Sequence, residues 1–540
     1  MRSPLQKDKR HRLLLLFVAI IVLALGILAI VVPPAVDYDS CWGFLVMHNM
    51  EQGHPFNLLI SPADDNIAKN QTEFLTWWTP GQYIVPYFFK TLLKISTGQA
   101  ASITIMVCDL IGLAGFYKLF TKLGFSKWVA AISIAFILTQ QVFVQQFIYY
   151  HGSELILFAF MGWFLYGCFS VKKITWLVLV MLLLAGPVGF FAKSSFLWIY
   201  AAGIACVWIN VSVNQSPVMS GTKALDNKRL KVWLLNGSLL AFSFICGFLI
   251  IYFCFLSKGP NPTSETAGFL VKFETFGFPL SSPMLSAFSV DELTGGLIYQ
   301  PENTAFSYPL AVVILLVLTF CSLAFIAIMI KYPVDKKYAI AKVIFYLFSV
   351  VFFSLIYFEQ ANISYEGRHF RILGLLATPG LVYLFFKSKV TKTLFFVTWI
   401  GIIAMEFSYF RGKYKANMQA SRNISGFSQP AYDNLTLTAI TKLDEDGQTD
   451  AIFVLMGPGV AMEIKNKRRI IIDEGNMVDK DFMNMKYPGK AGPLYIIMPA
   501  SYLKDGKSAM VTKSFTGYHQ FAVKQLSSKY YLYTGIPLAP

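Results

Sequence analysis

Nothing constrains the fold of this 540-residue chain more than its apolar runs of spanning length, which recur eleven times. They lie near 13–32, 100–120, 128–148, 154–171, 174–192, 195–213, 232–256, 308–330, 338–358, 370–386 and 393–409. About 20 apolar residues wound as a helix cross the hydrocarbon core of a bilayer, and a helix satisfies its own backbone hydrogen bonds there. Overall, 55% of the residues are hydrophobic and 14% are charged, far more apolar surface than a soluble chain of this length needs. The expected fold is a polytopic α-helical membrane protein with about eleven transmembrane helices.

The first run, Leu13 to Val32, follows Arg2, Lys7, Lys9, Arg10 and Arg12, like the basic start of a signal peptide. It is too long for one, and Pro33-Pro34 stops the helix without offering a small-residue cleavage site. We read it as a retained anchor.

A net charge of +16 is high enough to raise nucleic acid as a partner, but its distribution points to topology instead. With the N-terminus in the cytoplasm, the inner loops hold Lys118, Lys122 and Lys127; Lys172 and Lys173; Lys223, Lys228, Arg229 and Lys231. Later inner loops hold Lys331, Lys336, Lys337 and Lys342, then Lys387, Lys389 and Lys392. The outer loops, 33–99, 149–153, 193–194, 257–307 and 359–369, are poorer in basic residues, which is the positive-inside pattern. The seven cysteines lie mostly within apolar runs and none follows Cys321, so neither a disulfide framework nor a cysteine metal site is expected.

An odd number of spans places the tail on the outer side. There Ala451–Met456, Arg469–Ile472 and Leu494–Met498 read as short buried strands between turn residues. We expect residues 1–410 to form the membrane domain and 411–540 a periplasmic α/β domain, with its mixed core over roughly 430–540. Gly457-Pro458-Gly459 lacks the Gly-Lys-Ser/Thr ending of a phosphate loop, and no helical repeat is evident.

Under this topology the unusual polar residues gather at the outer face. Asp37 and Asp39 follow the first span, His151 and Glu154 stand between the third and fourth, and Lys193 lies between the fifth and sixth. Glu359, Arg368, His369 and Arg371 flank the tenth. Ionisable groups beside hydrocarbon are costly and usually serve a function. Asp37 and Asp39 fit three roles: a general base toward an acceptor hydroxyl, a ligand pair for a divalent cation such as Mg or Mn, or a cap on the helix from Cys41 to Gln52. Arg368, His369 and Arg371 form a cationic cluster suited to a lipid phosphate or pyrophosphate, because arginine's fork matches phosphate oxygens. Their bland alternative is anchorage to lipid head groups. Trp77 and Trp78, beside the Pro80-Gly81 turn, can stack on a sugar or sit in the interfacial aromatic belt. Asp109 lies inside the second span, where a functional role and an internal hydrogen bond are equally open.

Asp37-Tyr38-Asp39 after an N-terminal span, the helix ending in Asn49-Met50-Glu51-Gln52-Gly53-His54-Pro55-Phe56, and Thr79-Pro80-Gly81-Gln82-Tyr83 together resemble the GT-C superfamily of integral-membrane glycosyltransferases. The likeness is to bacterial enzymes related to protein mannosyltransferases and the aminoarabinose transferase of lipid A. It covers the order of elements over most of the chain, with specific motifs only within roughly 37–90.

The resemblance implies a sugar donor on polyprenyl phosphate or diphosphate and transfer at the outer face. It also implies a first-loop acid as base or metal ligand, matching Asp37 or Asp39, and late basic residues on the lipid phosphate, matching Arg368 and Arg371. Many relatives carry Asp-Glu or a lone Asp in the first loop, so Asp-Tyr-Asp leaves the essential residue open. Glu154 is the one acid available for a second position. The expected function is inverting glycosyl transfer in the bacterial inner membrane to a glycan, lipid or protein acceptor, without nucleic acid. The rivals are a lipid-linked glycan flippase, for which paired halves are missing, and an O-antigen ligase or polymerase, for which the long outer loop would come late.

Overall fold

Each of the eleven apolar runs becomes helix. The structure, a computed structural model, describes residues 4–215, 227–260, 266–300 and 306–537; Arg2 and Lys223 of the charge pattern lie outside the described residues. In chain order the first half comprises α1 (Pro4–Val31), β1 (Ala35–Val36), α2 (Tyr38–Glu51), β2 (Leu58–Ala63), β3 (Asn66–Phe74), α3 (Gly81–Leu93), α4 (Thr97–Lys122), α5 (Lys127–Leu138), α6 (Gln141–Val144), β4 (Tyr149–Tyr150), α7 (Ser153–Cys168), α8 (Trp176–Ala192), α9 (Phe196–Gln215) and α10 (Asn227–Cys254). Then follow α11 (Phe273–Ala287), α12 (Val290–Leu293), α13 (Tyr308–Lys331), α14 (Lys336–Phe358), α15 (Arg371–Phe385), α16 (Lys389–Gln419), α17 (Asn434–Asp444), β5 (Ile452–Leu455), β6 (Arg468–Ile471), β7 (Leu494–Pro499), β8 (Phe521–Gln525) and β9 (Tyr530–Gly535).

Among the described residues, 7 helices are long and apolar enough to cross a bilayer alone. The run near 128–148 is a pair of helices bent by 62°, an eighth span if the two count as one. The runs near 154–171, 174–192 and 370–386 form helices of 16, 17 and 15 residues, shorter than a bilayer's hydrocarbon core at 1.5 Å per residue. Helix starts follow the expected chemistry: Ser126 accepts from the Val129 N–H, Thr175 from the Val178 N–H and Asp335 from the Lys337 N–H.

The chain forms two compact units. The first comprises residues 1–25, 105–146 and 153–410. Small residues bring its helices close: Gly112 of α4 packs on the Phe158 ring, and Gly162 of α7 packs on Phe116, the small-against-large pattern of membrane helices. An element absent from the apolar reading is α11, within the expected outer loop 257–307. It is buried for most of its length, and its backbone is tied to neighbours by Tyr346 Oη donating to Leu280 O and Ser322 Oγ donating to Ser281 O. Lys342, expected in an inner loop, lies buried in α14 and donates to Ile326 O at 3.1 Å.

The second unit comprises residues 26–104, 147–152 and 411–540. It contains the hairpin β2–β3 and a five-stranded sheet of order β6-β5-β7-β9-β8. The first three strands are parallel and β9 runs antiparallel to β7 and β8. Side chains alternate between faces with a period of two. Val454 and Ile496 face one core with Phe482, Val511 and Phe515, while Phe453, Leu455 and Ile497 face another with Leu437 and Ile440. Ile496 is fully buried at the centre, so Ile496→Ala should destabilise this unit by about 2–5 kcal/mol, read as a lowered thermal midpoint of the purified protein.

Candidate active site

In the first unit, the chain after α14 turns through a 3-10 helix, Gly367–Phe370, directly into α15. That turn brings Arg368, His369 and Arg371 to one cavity, where Glu154 from the first turn of α7 and Lys193 from the end of α8 join them. The cavity is open on one side and leaves about 20 Å³ of room between its side chains, and much of its remaining wall is apolar, including Leu157, Phe158 and Ile372. Lys193 donates to the Glu154 carboxylate, and Arg368 stands 4.0 Å from the same oxygen. Behind the cavity, Arg368 Nε pairs with Glu366 at 2.5 Å and Arg371 Nη2 with Glu292 at 2.9 Å. Three cations thus meet at a largely apolar space, each paired with a carboxylate: Lys193 with Glu154, Arg368 with Glu366 and Arg371 with Glu292.

Burial lowers the Lys193 pKa; Glu154 opposes that shift, and the charges of Arg368 and Arg371 add to it. Burial likewise holds the His369 imidazole well below its ordinary value, reinforced by Arg368 and Lys193 and opposed by Glu154. His369 is therefore neutral, and its Nε2 is buried with no hydrogen-bond partner among the described residues. Below the ordinary imidazole value of about 6.5 the unfolded chain binds a proton that folded His369 refuses, so this group's contribution to stability falls as pH drops through that range. His369→Gln should flatten the acid limb of a melting-temperature profile below about pH 6.5.

The second unit builds an acidic site. Parallel pairing of Ala35–Val36 with Tyr149–Tyr150 sets Asp37 beside the following strand end, its N–H donating to Tyr150 O at 2.9 Å. Asp37 Oδ1 comes within 4.0 Å of His151 Nδ1. Tyr149 hydrogen-bonds Asp37, and burial together with that carboxylate raises the phenol's pKa. Asp37 occupies the N-cap position of α2, yet its side chain makes no capping hydrogen bond, so its carboxylate is directed to Tyr149 and His151 instead. Asp39 sits in the first turn of α2. Tyr38 between them donates to Asp473 at 2.6 Å and anchors the motif.

Gly152, at φ +71°, allows close packing here: a Cβ would meet Gln82 Oε1 at 2.6 Å and Ser40 Oγ at 2.7 Å. Ser40 Oγ and Gln82 Nε2 are buried without hydrogen-bond partners among the described residues. Trp78 is half-buried with its indole N–H in the same condition, while Trp77 is exposed. Glu359, the C-cap of α14, is exposed and lies outside the cationic cavity. Asp109 is fully buried in α4, and both its oxygens lack hydrogen-bond partners among the described residues.

No three His, Cys, Asp or Glu side chains among the described residues stand close enough to hold a metal ion. Asp37 and Asp39 offer two carboxylates, a number that can hold Mg where waters and a substrate phosphate complete its shell.

Sequence reasoning missed Ser40, Gln82, Tyr149, Asp291, Glu292 and Glu366. Gln82 lies within Thr79–Tyr83, and Asp291-Glu292 are adjacent acids in the expected outer loop 257–307 that the sequence reading passed over, since neither carries a spacing that names its partner.

No family model matches the chain, and no curated protein matches it. Among solved structures, it is similar to ArnT from Cupriavidus metallidurans bound to undecaprenyl phosphate, at 10% identity and a TM-score of 0.46, with 96% of this chain and 97% of that one covered. The apo structure of the same protein gives 12% identity and the same TM-score. Arabinofuranosyltransferase AftD from Mycobacteria gives 11% identity and a TM-score of 0.42; 97% of this chain aligns with 40% of that one, so the chain spans about two fifths of its length.

Proposed function

We propose that the protein is an inverting glycosyltransferase that moves a sugar from a polyprenyl-phosphate donor to an acceptor hydroxyl at the periplasmic face of a bacterial inner membrane. The observation that carries this reading is the cationic cavity of Lys193, Arg368 and Arg371, walled by apolar side chains and containing a neutral histidine. A phosphate on a lipid tail matches both properties, since guanidinium groups hold phosphate oxygens through paired charge-assisted hydrogen bonds and the apolar wall receives the first isoprene units.

In the reaction, a carboxylate accepts the proton of the acceptor hydroxyl as its oxygen bonds to the anomeric carbon. The resemblance offers Asp37 or Asp39 for that role, and we choose Asp37 because its side chain makes no helix-capping bond. The bond from that carbon to the phosphate oxygen breaks, and its electron pair leaves with the lipid phosphate. Charge grows on that phosphate in the transition state. Lys193, Arg368 and Arg371 are placed beforehand to stabilise it, commonly the largest catalytic contribution. Neutral His369 adds a hydrogen bond without adding charge. The acceptor is a glycan, a lipid or a protein.

The test uses purified protein in lipid nanodiscs with a panel of radiolabelled polyprenyl-phosphate sugars and a crude periplasmic acceptor fraction. Protein-dependent transfer of label from at least one donor, with release of the free lipid phosphate, is the expected result. Absence of transfer from every donor, under conditions where the protein stays folded, overturns the reading.

A further inference from the structure

The cationic cavity is held in shape by a segment that does not line it. Ser289 adopts φ +49° and opens the short helix α12, Val290–Leu293, from which the chain turns back so that the Leu297 N–H donates to Asp291 Oδ1 at 2.8 Å. The second oxygen of Asp291 accepts from the Gly367 N–H at 2.6 Å. That N–H begins the 3-10 turn carrying Arg368 and His369. The approach is so close that a Cβ on Gly367 would come within 2.9 Å of the Asp291 Cβ. The next residue, Glu292, pairs with Arg371 at 2.9 Å. Asp291 is only 5% exposed, so its two backbone hydrogen bonds are its compensation for leaving water.

We propose that Asp291 and Glu292 are positioning residues for the lipid phosphate: Asp291 fixes the backbone turn that carries Arg368 and His369, and Glu292 fixes the guanidinium of Arg371. The two acids divide the work. An uncharged or disordered turn would leave the cations free to point into solvent or lipid, and an Arg371 without Glu292 would lose one of the contacts that orient its fork. Neither acid lines the cavity, so neither touches the phosphate. This inference rests on the function proposed above.

The experiment measures binding of undecaprenyl phosphate and of the uncharged alcohol undecaprenol to the full chain in nanodiscs, for wild type, Asp291→Asn and Glu292→Gln. Wild type should prefer the phosphate. Each variant should bind the phosphate about tenfold more weakly, the scale of one hydrogen bond to a charged group, and bind the alcohol as wild type does. A merely structural defect would weaken both ligands together. Glu292 is half-buried at the edge of the segment, and its variant decides the matter if Asp291→Asn does not fold. If wild type prefers the phosphate and Glu292→Gln matches wild type on both ligands, this inference fails alone. If wild type binds the two lipids equally, the proposed function fails with it.

Discussion

Asp37→Asn should lower the transfer rate by about 10²–10⁴, the range typical of a removed general base, and leave affinity for undecaprenyl phosphate unchanged. The asparagine is nearly isosteric, and the Asp37 backbone N–H keeps its bond to Tyr150 O, so the fold around the site survives. What disappears is the carboxylate that lies beside His151 and accepts the Tyr149 hydrogen bond. Because the side chain makes no helix-capping bond, little stability should be lost with it. Asp39→Asn serves as the comparison: Asp39 sits one residue into α2, where its charge favours the helix N-terminus, and its loss should reduce the rate far less. Steady-state kinetics on both variants, together with their melting temperatures, check the assignment. Equal and full activity in both removes Asp37 from the chemistry.

The second large effect falls on Arg371. Arg371→Gln should weaken undecaprenyl phosphate binding by about 10–100-fold, because it removes charge-assisted hydrogen bonds to the ligand. It also leaves Glu292 without its partner, and Glu292 already has one buried oxygen with no hydrogen-bond partner among the described residues. Breaking an ion pair away from water by deleting one member is strongly unfavourable, so this variant should also melt lower than wild type. Arg371→Lys separates the two consequences. It restores a charge opposite Glu292 and should recover much of the stability, yet it cannot present the planar fork and should recover little affinity. Recovery of full affinity by lysine would mean that charge alone, and not guanidinium geometry, serves the site.

Most helices were legible because their apolar runs are long, and a bilayer leaves the backbone of such a run no alternative; the run near 128–148, interrupted by Thr139-Gln140-Gln141, bends instead. α11 was not legible, since Phe273–Ala287 carries Glu274, three serines and two prolines and reads as loop; it is helical because its neighbours bury it. Strand β8 escaped notice for the opposite reason. Its residues are largely exposed at the sheet edge, so no hydrophobic alternation marks them. At the site, Arg368, His369, Arg371, Lys193 and Glu154 were legible as charges where charges are expensive. Their mutual contacts were not, and the roles of Asp291 and Glu292 still less, because each meets its partner across more than seventy residues of chain. The pairing of Asp37 with His151 depends on a two-residue parallel ladder that no local pattern announces.

The most direct measurement is photo-crosslinking of an undecaprenyl phosphate analogue carrying a diazirine on the isoprene nearest the phosphate, with the labelled peptides mapped by mass spectrometry. The account predicts labelling of the segments around Leu157–Met161 and Arg368–Ile372, competed away by unlabelled undecaprenyl phosphate and lost in Arg371→Gln. Specific, competable labelling confined to other parts of the chain, with these two segments untouched, would contradict it.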